Sequence, residues 1–396
     1  MTDRLTRWKD RFAGYPRTFW LLVGGTLVNR IGLLVLPFLS LFLTAERGMT
    51  VAEATFVIGL HGAGAFAAGV IGGALSDRIG RKAVLVFSLG GGALLIAAIP
   101  SAGAALGAVV AAYGFVGEMY RPAVSALVAD TVDPARQRRA FALLYWAINL
   151  GAAIGPAIGG VLAERSFGLL FALDAATMAV YALVVLLGVR ETRPARVVDD
   201  VSGTRSGAFG RALRDPRLVG LTLVSFAVGT AFVQTFVTLP LVMRADGSAP
   251  VAYGAVVGLN GAIVVVLSLP ASRWMESHRG SGPLALAVAL IGLGVGAYAF
   301  ADTAWEYAGG VVLLSLGEIA FLPVLPALVA RLAPDDARGL YQGVHQSGWG
   351  LAHMVSPVVG GLVLSRFGAP ALWGACAVLG LAAAGLVIAL DLGDDT

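Results

Sequence analysis

Residues 116–134 read VGEMYRPAVSALVADTVDP, and residues 316–334 read LGEIAFLPVLPALVARLAP. The two segments lie 200 positions apart in long apolar stretches, and each has a glutamate near its start, Glu118 and Glu318. An ionisable group at bilayer depth costs on the order of 2.5–3.5 kcal/mol on insertion scales. Two such groups in matching contexts indicate a duplicated membrane protein whose function needs a carboxyl group that can gain and lose a proton.

The composition places the chain in the membrane class. Of its 396 residues, 58% are hydrophobic and 13% are charged, whereas a soluble domain has about 25% charged residues. The mean hydropathy is +0.82. The single cysteine, Cys376, excludes an intrachain disulfide. The sequence has no catalytic triad pattern, no glycine-rich phosphate loop and no metal-ligand spacing, so it predicts neither an enzyme nor an ATP-driven pump, and no metal or other cofactor.

Apolar length and its interruptions predict twelve membrane-spanning helices and therefore an all-α membrane protein. The predicted helices are 17–44, 51–75, 83–100, 103–130, 138–163, 167–189, 217–242, 251–274, 283–302, 305–330, 339–364 and 369–391. The even number puts both termini on one side. The polar stretch 190–216 is expected to link an N-terminal six-helix bundle, residues 1–189, to a C-terminal six-helix bundle, residues 217–396.

Lysine and arginine predict the orientation. Most of the 28 basic residues fall at the N-terminus and in alternate loops, and two fall inside helices, Arg30 and Arg121. The opposite side has only Arg47, Arg165, Arg244 and Arg366. The positive-inside rule therefore places both termini in the cytoplasm, with the chain in the inner (plasma) membrane. Because the basic residues follow this alternation and form no continuous face, they do not predict a nucleic-acid partner.

Two further pairs of segments repeat at nearly the same offset, residues 60–80 with 259–279 and residues 141–160 with 341–361. Parallel six-helix repeats are the architecture of the major facilitator superfamily. The loop GGALSDRIGRK, residues 72–82, resembles the signature loop of that superfamily. The matching residues, together called the latch here, are Gly73, Asp77, Arg78, Gly80, Arg81 and Lys82. The resemblance implies two pseudo-symmetric bundles in the major facilitator fold, whose cytoplasmic ends the latch holds together in the outward-facing state.

Physical chemistry assigns separate tasks to the latch residues. Gly73 permits close helix approach, and Gly80 permits a tight turn. Asp77 is expected at the N-terminus of a neighbouring helix, where the helix dipole favours an anion. Arg81 is expected to pair with carboxylates. The second-half copy, residues 270–280, is expected to have lost the glycine pattern.

Predicted helix 5 carries Gly151, Gly155, Pro156, Gly159 and Gly160. Spaced small residues let two helix backbones pack closely, and the proline introduces a bend. This pattern resembles the motif of drug:proton antiporters within the superfamily. The resemblance implies efflux of drugs or other small amphipathic compounds in exchange for protons.

Ionisable residues inside the predicted helices form the candidate proton site. Glu118 and Arg121 are three residues apart and therefore share a helix face. The resemblance implies that helices 1, 4, 7 and 10 line a central cavity, so helix 1 adds Asn29 and Arg30 to this charge cluster. Glu318 has no basic residue nearby in its helix and is expected to face the cluster from the other half. We expect Glu318 to be the main proton carrier and Glu118 to organise the cavity.

Candidate substrate contacts are aromatic and amide side chains on helices that are expected to face the cavity, and such side chains suit amphipathic or aromatic cargo. They are Phe38, Tyr145, Trp146, Asn149, Gln234, Phe236, Phe321 and Trp349. For each of them, contact with lipid or with other helices is an equal alternative. His61, His345 and His353 are expected to be neutral hydrogen-bond partners, and Asp174 is expected to reach the membrane interface.

The sequence therefore predicts a monomeric secondary transporter in a lipid bilayer that moves a small molecule and protons by alternating access, with the proton gradient as its energy source. Two alternatives stay open, a proton-coupled importer of a sugar, peptide or metabolite and a carrier of lipid or lysolipid. The cargo is not defined, because the two intramembrane arginines suit an anionic or zwitterionic group whereas the two glutamates allow a cation.

Overall fold

The computed structural model describes residues 14–192, 205–278, 280–334 and 337–392, and for residues 205–209, 269 and 272–277 it describes the backbone alone. It contains 11 helices that are long and apolar enough to cross a membrane. The longest, Arg338–Ala389, has 52 residues, but Gly368 at φ 81° and ψ 174° divides it into two. Twelve spans result, which confirms the predicted all-α membrane fold.

The spans alternate in direction and are joined mostly by short turns. They are α1 Arg17–Ala45, α2 Val51–Ile79, α3 Arg81–Ser101, α4 Gly103–Thr131, α5 Pro134–Arg165, α6 Phe167–Gly188, α7 Pro216–Val237 with its continuation Leu239–Ala245, α8 Pro250–Ser277, α9 Ser281–Phe300, α10 Ala304–Leu332, α11 338–367 and α12 369–389. Every predicted helix end lies within four residues of the observed end.

Parts of the predicted organisation lie outside the described residues. These parts are residues 193–204 of the linker and the N-terminal Arg4, Arg7, Lys9 and Arg11. A short helix, Arg205–Arg214, precedes α7. The division into bundles 1–189 and 217–396 therefore stays a prediction.

Four spans are interrupted near a proline. In α1 the segments Arg17–Ile31 and Val35–Ala45 flank a break before Pro37, and in α4 the segments Leu106–Glu118 and Tyr120–Thr131 flank a break before Pro122. In α7 the segments Pro216–Val237 and Leu239–Ala245 flank a break before Pro240, and in α10 the segments Ala304–Phe321 and Leu325–Leu332 flank a break at Pro323. Proline has no N–H to donate, and its ring clashes with the carbonyl four residues earlier. The breaks occur in α1, α4, α7 and α10, and they form two pairs near the 200-residue offset of the repeat.

Asp174 of α6 supports the break in α1. Its carboxylate accepts hydrogen bonds from the backbone N–H groups of Leu34, at 3.0 Å, and Val35, at 2.9 Å. These amides begin the second segment of α1, where an anion is favourable for the helix dipole. Asp174 is 2% exposed. The expectation that it reaches the membrane interface is therefore wrong.

The two sides of the molecule differ in how closely the first six and the last six spans approach. We call the side where α1, α5, α7 and α11 end the arginine-poor side, and the opposite side the arginine-rich side. The described chain begins and ends on the arginine-rich side, where Ser281 at the start of α9 donates to Asp391 after α12 at 2.7 Å. The first and last described spans therefore have their outer ends on one side, as the even number of spans predicts.

The contact between the halves is closed toward the arginine-poor side. There α2 packs on α11 and α5 packs on α8. A side chain at Gly62 would collide with the carbonyl oxygen of His353, and one at Gly254 would collide with that of Pro156. Toward the arginine-rich side, no neighbour in the described part of the chain lies within 4 Å of a Cβ built on Gly69 or Gly73 of α2 or on Gly339 or Gly343 of α11, and a Cβ built on Gly72 meets only Met119 of α4, in the same half. The halves therefore separate toward the arginine-rich side.

Candidate functional site

Glu118 and Arg121 form an ion pair at the break in α4. Arg121 Nε lies 2.5 Å from Glu118 Oε2, and Nη2 lies 3.3 Å from Oε1. The glutamate side chain is 11% exposed, whereas the arginine side chain is 50% exposed. The pair therefore presents its cation, and not its anion, to the surroundings.

Two histidines, one on α2 and one on α11, lie near this ion pair. His61 of α2 is buried with its ring 5.1 Å from that of Tyr113, and its Nε2 has no hydrogen-bond partner in the described part of the chain. His353 of α11 places Nδ1 3.1 Å from the carbonyl oxygen of Trp349. Gly114 of α4 packs on the backbone of His61, and Gly62 of α2 packs on the backbone of His353. The ion pair therefore lies near helices of both halves of the molecule.

Arg30 lies in the last turn of the first segment of α1. Its Nε is buried, and among the described residues this atom has no hydrogen-bond partner. Its charge acts on Glu118, although the two residues form no salt bridge. Asn29, its neighbour, is 5% exposed. Of the predicted cluster, the structure joins Glu118 to Arg121 directly and adds Arg30 at longer range.

Glu318 has different neighbours. Asn260 of α8 donates to its Oε2 at 2.7 Å and to Ser315 Oγ at 2.9 Å. Glu318 is 7% exposed, and no basic side chain contacts it within the described residues. Glu318 therefore contacts α8, which packs on α5, whereas Glu118 lies near α2, which packs on α11.

These two surroundings are copies of one arrangement. His61 and Asn260 occupy equivalent positions in the repeat, as Glu118 and Glu318 do. A glycine follows His61 and packs on the backbone of α11, and a glycine follows Asn260 and packs on the backbone of α5. The match between residues 60–80 and 259–279 contains this signal, but no role for Asn260 is predicted from the sequence.

The glycines of α5 hold this helix between α1 and α8. Gly151, Gly155 and Gly159 leave no room for a side chain against α1, and Gly160 leaves none against α8. The carbonyl oxygen of Pro156 also touches the α8 backbone. The pattern that resembles an antiporter motif thus lies at a contact between the two halves.

The latch contacts lie within the first six spans in this conformation. Gly80 joins α2 to α3 with φ 109°. Arg81 forms an ion pair with Asp77, and its Nε lies 3.2 Å from Asp130 Oδ2 at the end of α4. Gly73, which the sequence assigns to a close helix contact, faces open space.

Glu191, which follows α6, occupies the position that the sequence assigns to Asp77. Its carboxylate accepts from the backbone N–H groups of Lys82, at 3.0 Å, and Ala83, at 3.1 Å, and so caps the start of α3. A Cβ at Gly80 would lie 2.6 Å from Glu191 Oε2. In the second half, Gly280 has the same φ of 109° before α9. The turn glycine is therefore retained there, contrary to the expectation.

The predicted substrate contacts divide into buried and accessible residues. Phe38 and Phe321 are 0% exposed, and Phe38 packs on Tyr253 of α8 with ring centroids 5.3 Å apart. Gln234 is 1% exposed and donates to the carbonyl oxygen of Ser356 at 2.8 Å. In this conformation these three side chains belong to helix contacts and do not line an open cavity.

Of the five other residues, four are accessible. On α5, Tyr145 is 38% and Trp146 is 48% exposed, whereas Asn149 is 9% exposed and donates to the carbonyl oxygen of Tyr145 at 2.9 Å. On α7 and α11, Phe236 and Trp349 are partly exposed. Both halves therefore have accessible aromatic side chains.

An aromatic series crosses from α7 to α11. Ring centroids lie 5.2 Å apart for Phe236 and Phe232, 5.8 Å for Phe232 and Trp349, and 5.7 Å for Trp349 and His353. The series ends at His353, beside the Glu118–Arg121 pair. Phe232 was missed by the sequence interpretation, although its i, i+4 spacing to Phe236 could have revealed it.

A bundle of twelve spans with ionisable side chains buried between its halves, closed on one side and open on the other, defines a membrane transport protein. The family model described as Major Facilitator Superfamily matches residues 21–304 and residues 242–395. The chain belongs to this superfamily, whose members are transporters and not enzymes.

Known proteins similar to the chain include two bacterial relatives. Multidrug resistance protein MdtH of Aeromonas salmonicida (strain A449) is 27% identical over 350 residues, which cover 86% of this chain and 86% of the relative. A Na(+), Li(+), K(+)/H(+) antiporter of Planococcus maritimus is 25% identical over 376 residues, which cover 85% of this chain and 87% of the relative. The crystal structure of a POT family transporter in complex with a thioalcohol-conjugated peptide has a TM-score of 0.80 at 15% identity and covers 96% of both chains. That likeness supports the fold alone.

Proposed function

We propose that this chain exports small amphipathic compounds across the plasma membrane in exchange for protons, by alternating access. The MdtH relative, at 27% identity, is named for multidrug resistance, and the Planococcus relative, at 25%, is named as a proton antiporter. The glycine pattern of α5, which resembles the motif of drug:proton antiporters, supports the same direction of transport.

The observation that carries the proposal is the setting of Glu318. This carboxyl is buried and accepts a hydrogen bond from the amide of Asn260, which also donates to the hydroxyl of Ser315. Protonating Glu318 breaks no salt bridge, whereas protonating Glu118 breaks its ion pair with Arg121. A charge at bilayer depth costs on the order of 2.5–3.5 kcal/mol, so the neutral form of Glu318 fits this site at least as well as the charged form. Glu318 is therefore the proton carrier.

The conformation fits one state of this cycle. With the arginine-rich side in the cytoplasm, as the positive-inside rule requires, the open side faces inward. A proton taken up by Glu318 from outside leaves to the cytoplasm in this state, and the compound to be exported enters from the same side. Closing the cytoplasmic side then brings the latch against the second half.

Replacing Glu318 with glutamine tests the proposal in proteoliposomes that carry a pH gradient. We expect Glu318→Gln to abolish gradient-driven transport of a fluorescent dye while dye exchange without a gradient continues, because the neutral amide mimics a permanently protonated carboxyl. Glu306→Gln on the same helix is the matched control, since glutamine also serves in the capping box that Glu306 forms with Thr303. Gradient-driven transport at the unmodified rate in Glu318→Gln would show that the proton binds elsewhere. Uptake in the direction of the proton gradient would instead establish the importer alternative.

A second candidate function, transport of a lipid or lysolipid, has one observation in its favour. An apolar cavity of about 300 Å³ lies between α8, α9 and α10, next to Glu318, and Leu267, Leu286 and Leu316 are among its lining residues. Leu286 is 51% exposed, so the cavity lies at the surface of the bundle. Translocation of a fluorescent lysolipid by purified protein in proteoliposomes, with none for a soluble aromatic dye, would favour this candidate.

A further inference from the structure

The first half of the molecule has more cationic than anionic groups at its centre. Arg30 and Arg121 share one carboxylate, Glu118, and only Arg121 forms a salt bridge with it. Asp174, the other buried acid of this half, already accepts from the two amides that begin the second segment of α1. Among the described residues, Arg30 therefore has no anionic partner in salt-bridge contact. Arg30 is half-buried, and its buried Nε has no hydrogen-bond partner among the described residues. An unpaired buried polar group is costly, and the position of the cation at a helix C-terminus offsets only part of that cost.

The accessible charge is also cationic. The side chain of Arg121 is 50% exposed, whereas that of Glu118 is 11% exposed, and residue Glu318 is 7% exposed. Both carboxylates are thus withdrawn into helix contacts. A ligand that enters from the open side meets guanidinium groups before it meets a carboxylate. Guanidinium groups bind carboxylates and similar oxyanions through paired hydrogen bonds.

An aromatic surface lies next to these cations. The series Phe236, Phe232 and Trp349 has ring centroids 5.2 and 5.8 Å apart and leads through His353 to the Arg121–Glu118 pair. Flat aromatic molecules pack favourably on such rings in offset or edge-to-face arrangements. The cavity thus offers a cationic end on α1 and α4 and an aromatic end on α7 and α11.

We propose that the transported compound is an aromatic anion or zwitterion, whose carboxylate or sulfonate binds Arg30 and whose rings lie on the Phe232–Phe236–Trp349 series. The proposal rests on the export function above and narrows its substrate class. The ligand anion supplies the partner that Arg30 lacks. A purely cationic aromatic compound would place a like charge beside two arginines.

Three xanthene dyes with one ring system test the proposal, and binding to the purified full-length protein is measured by fluorescence anisotropy. Fluorescein is anionic, rhodamine B is zwitterionic with a free carboxylate, and rhodamine 6G is a cation whose carboxylate is esterified. We expect the first two to bind and rhodamine 6G to bind at least about tenfold more weakly, since it loses a hydrogen bond to a charged group. Arg30→Gln should weaken binding of the two carboxylate dyes about tenfold or more, whereas binding of rhodamine 6G should not weaken, because the substitution removes a like charge.

Two further variants separate the outcomes. Arg30→Lys keeps the charge and should recover part of the binding, which a merely misfolded variant would not. Trp349→Ala should weaken all three dyes alike. Tighter binding of rhodamine 6G, equal binding of fluorescein to Arg30→Gln, or binding of none of the dyes overturns the proposal. Because dye binding is measured without a proton gradient and gradient-driven transport is measured separately, a failure of proton coupling is distinguishable from a failure of this inference; Glu306→Gln, outside the proposed site, should bind the dyes normally.

Discussion

Glu118 and Glu318 occupy equivalent positions in the repeat, but the chemistry that holds each of them differs. A guanidinium on the same helix holds Glu118, and an amide on the neighbouring helix holds Glu318. In a state of the transport cycle in which Arg121 leaves Glu118, the carboxylate needs another donor, and His61 occupies the position that Asn260 has in the other half. Because Nε2 of His61 has no partner in the described part of the chain, it is free to serve as that donor.

The duplication therefore predicts the outcome of two substitutions at His61. We expect His61→Asn to keep at least about half of the transport rate, because the amide of Asn260 already performs the same task beside Glu318. His61→Leu should lower the rate at least about tenfold, since it leaves the buried carboxylate without a donor in the state in which Arg121 has left it. Dye efflux from everted vesicles measures both. Equal rates for the two variants would mean that His61 only fills space.

The sequence revealed the contacts between residues that are close along the chain, and it missed those between distant ones. The spacing of three residues between Glu118 and Arg121 predicted a shared face. The bond from Asn260 to Glu318 spans 58 positions, and the bond from Lys82 to Glu191 spans 109. Such contacts depend on how whole helices pack, which a periodicity in one segment does not contain. Glu191 could be recognised only after α3 and the end of α6 had been placed side by side.

Among the helices, length was predictable and continuity was not. Apolar runs set where each span begins and ends, because the bilayer demands about 20 apolar residues per helix. Prolines did not reveal which helices break, since Pro156, Pro270 and Pro357 lie inside continuous helices. At the break in α1, the carboxylate of Asp174 on α6 accepts hydrogen bonds from the two backbone N–H groups that the break leaves without helical partners. Whether a proline breaks a helix thus depends on its neighbours in the bundle.

The glycine pattern of α5 predicts a measurable packing effect. In Gly151→Ala the new methyl group collides with Arg30 of α1, whereas Gly69→Ala on α2 meets no atom within 4 Å. Overpacking costs about 1–3 kcal/mol, and the gain in helix propensity from glycine to alanine returns about 0.5–1 kcal/mol. We expect Gly151→Ala to lower the thermal unfolding temperature in detergent and Gly69→Ala to leave it unchanged or raise it. Equal unfolding temperatures would show that α1 moves aside and that the close contact is not required.

For the whole molecule, the register of α2 against α11 indicates the second conformation. In the closed part, Thr55 meets Gly361 and Phe66 meets Gly350, so the contact runs in one antiparallel register. Extending it by two turns places Gly73 opposite Gly343, and both glycines face open space. The sequence could not indicate which state would be observed, because both states use the same helices and differ only in which ends meet. The glycine pair is the surface on which the open side is expected to close.

Two pairs of cysteines report the two states in a Cys376→Ser background, which removes the only native cysteine. The Cβ of Ala157 on α5 lies 3.9 Å from a Cβ built on Gly258 of α8, within the range of about 3.5–4.5 Å for a disulfide. The Cβ built on Gly258 lies 2.8 Å from the carbonyl oxygen of Ala153, so α8 must shift slightly to accommodate the cysteine. We expect Ala157→Cys with Gly258→Cys to cross-link readily and to stop transport until a reductant is added.

The second pair, Gly73→Cys with Gly343→Cys, should cross-link only in the opposite conformation. If the halves alternate, the disulfide between α5 and α8 holds the arginine-poor side closed, and it should prevent the second cross-link when all four substitutions are combined. Mass spectrometry of the oxidised proteins, with and without reductant, measures both yields. Simultaneous formation of both disulfides in one chain would contradict alternating access, because the two sides would then close together. Mutual exclusion is the expected result, since the halves move as packed units whose contact on one side opens the other.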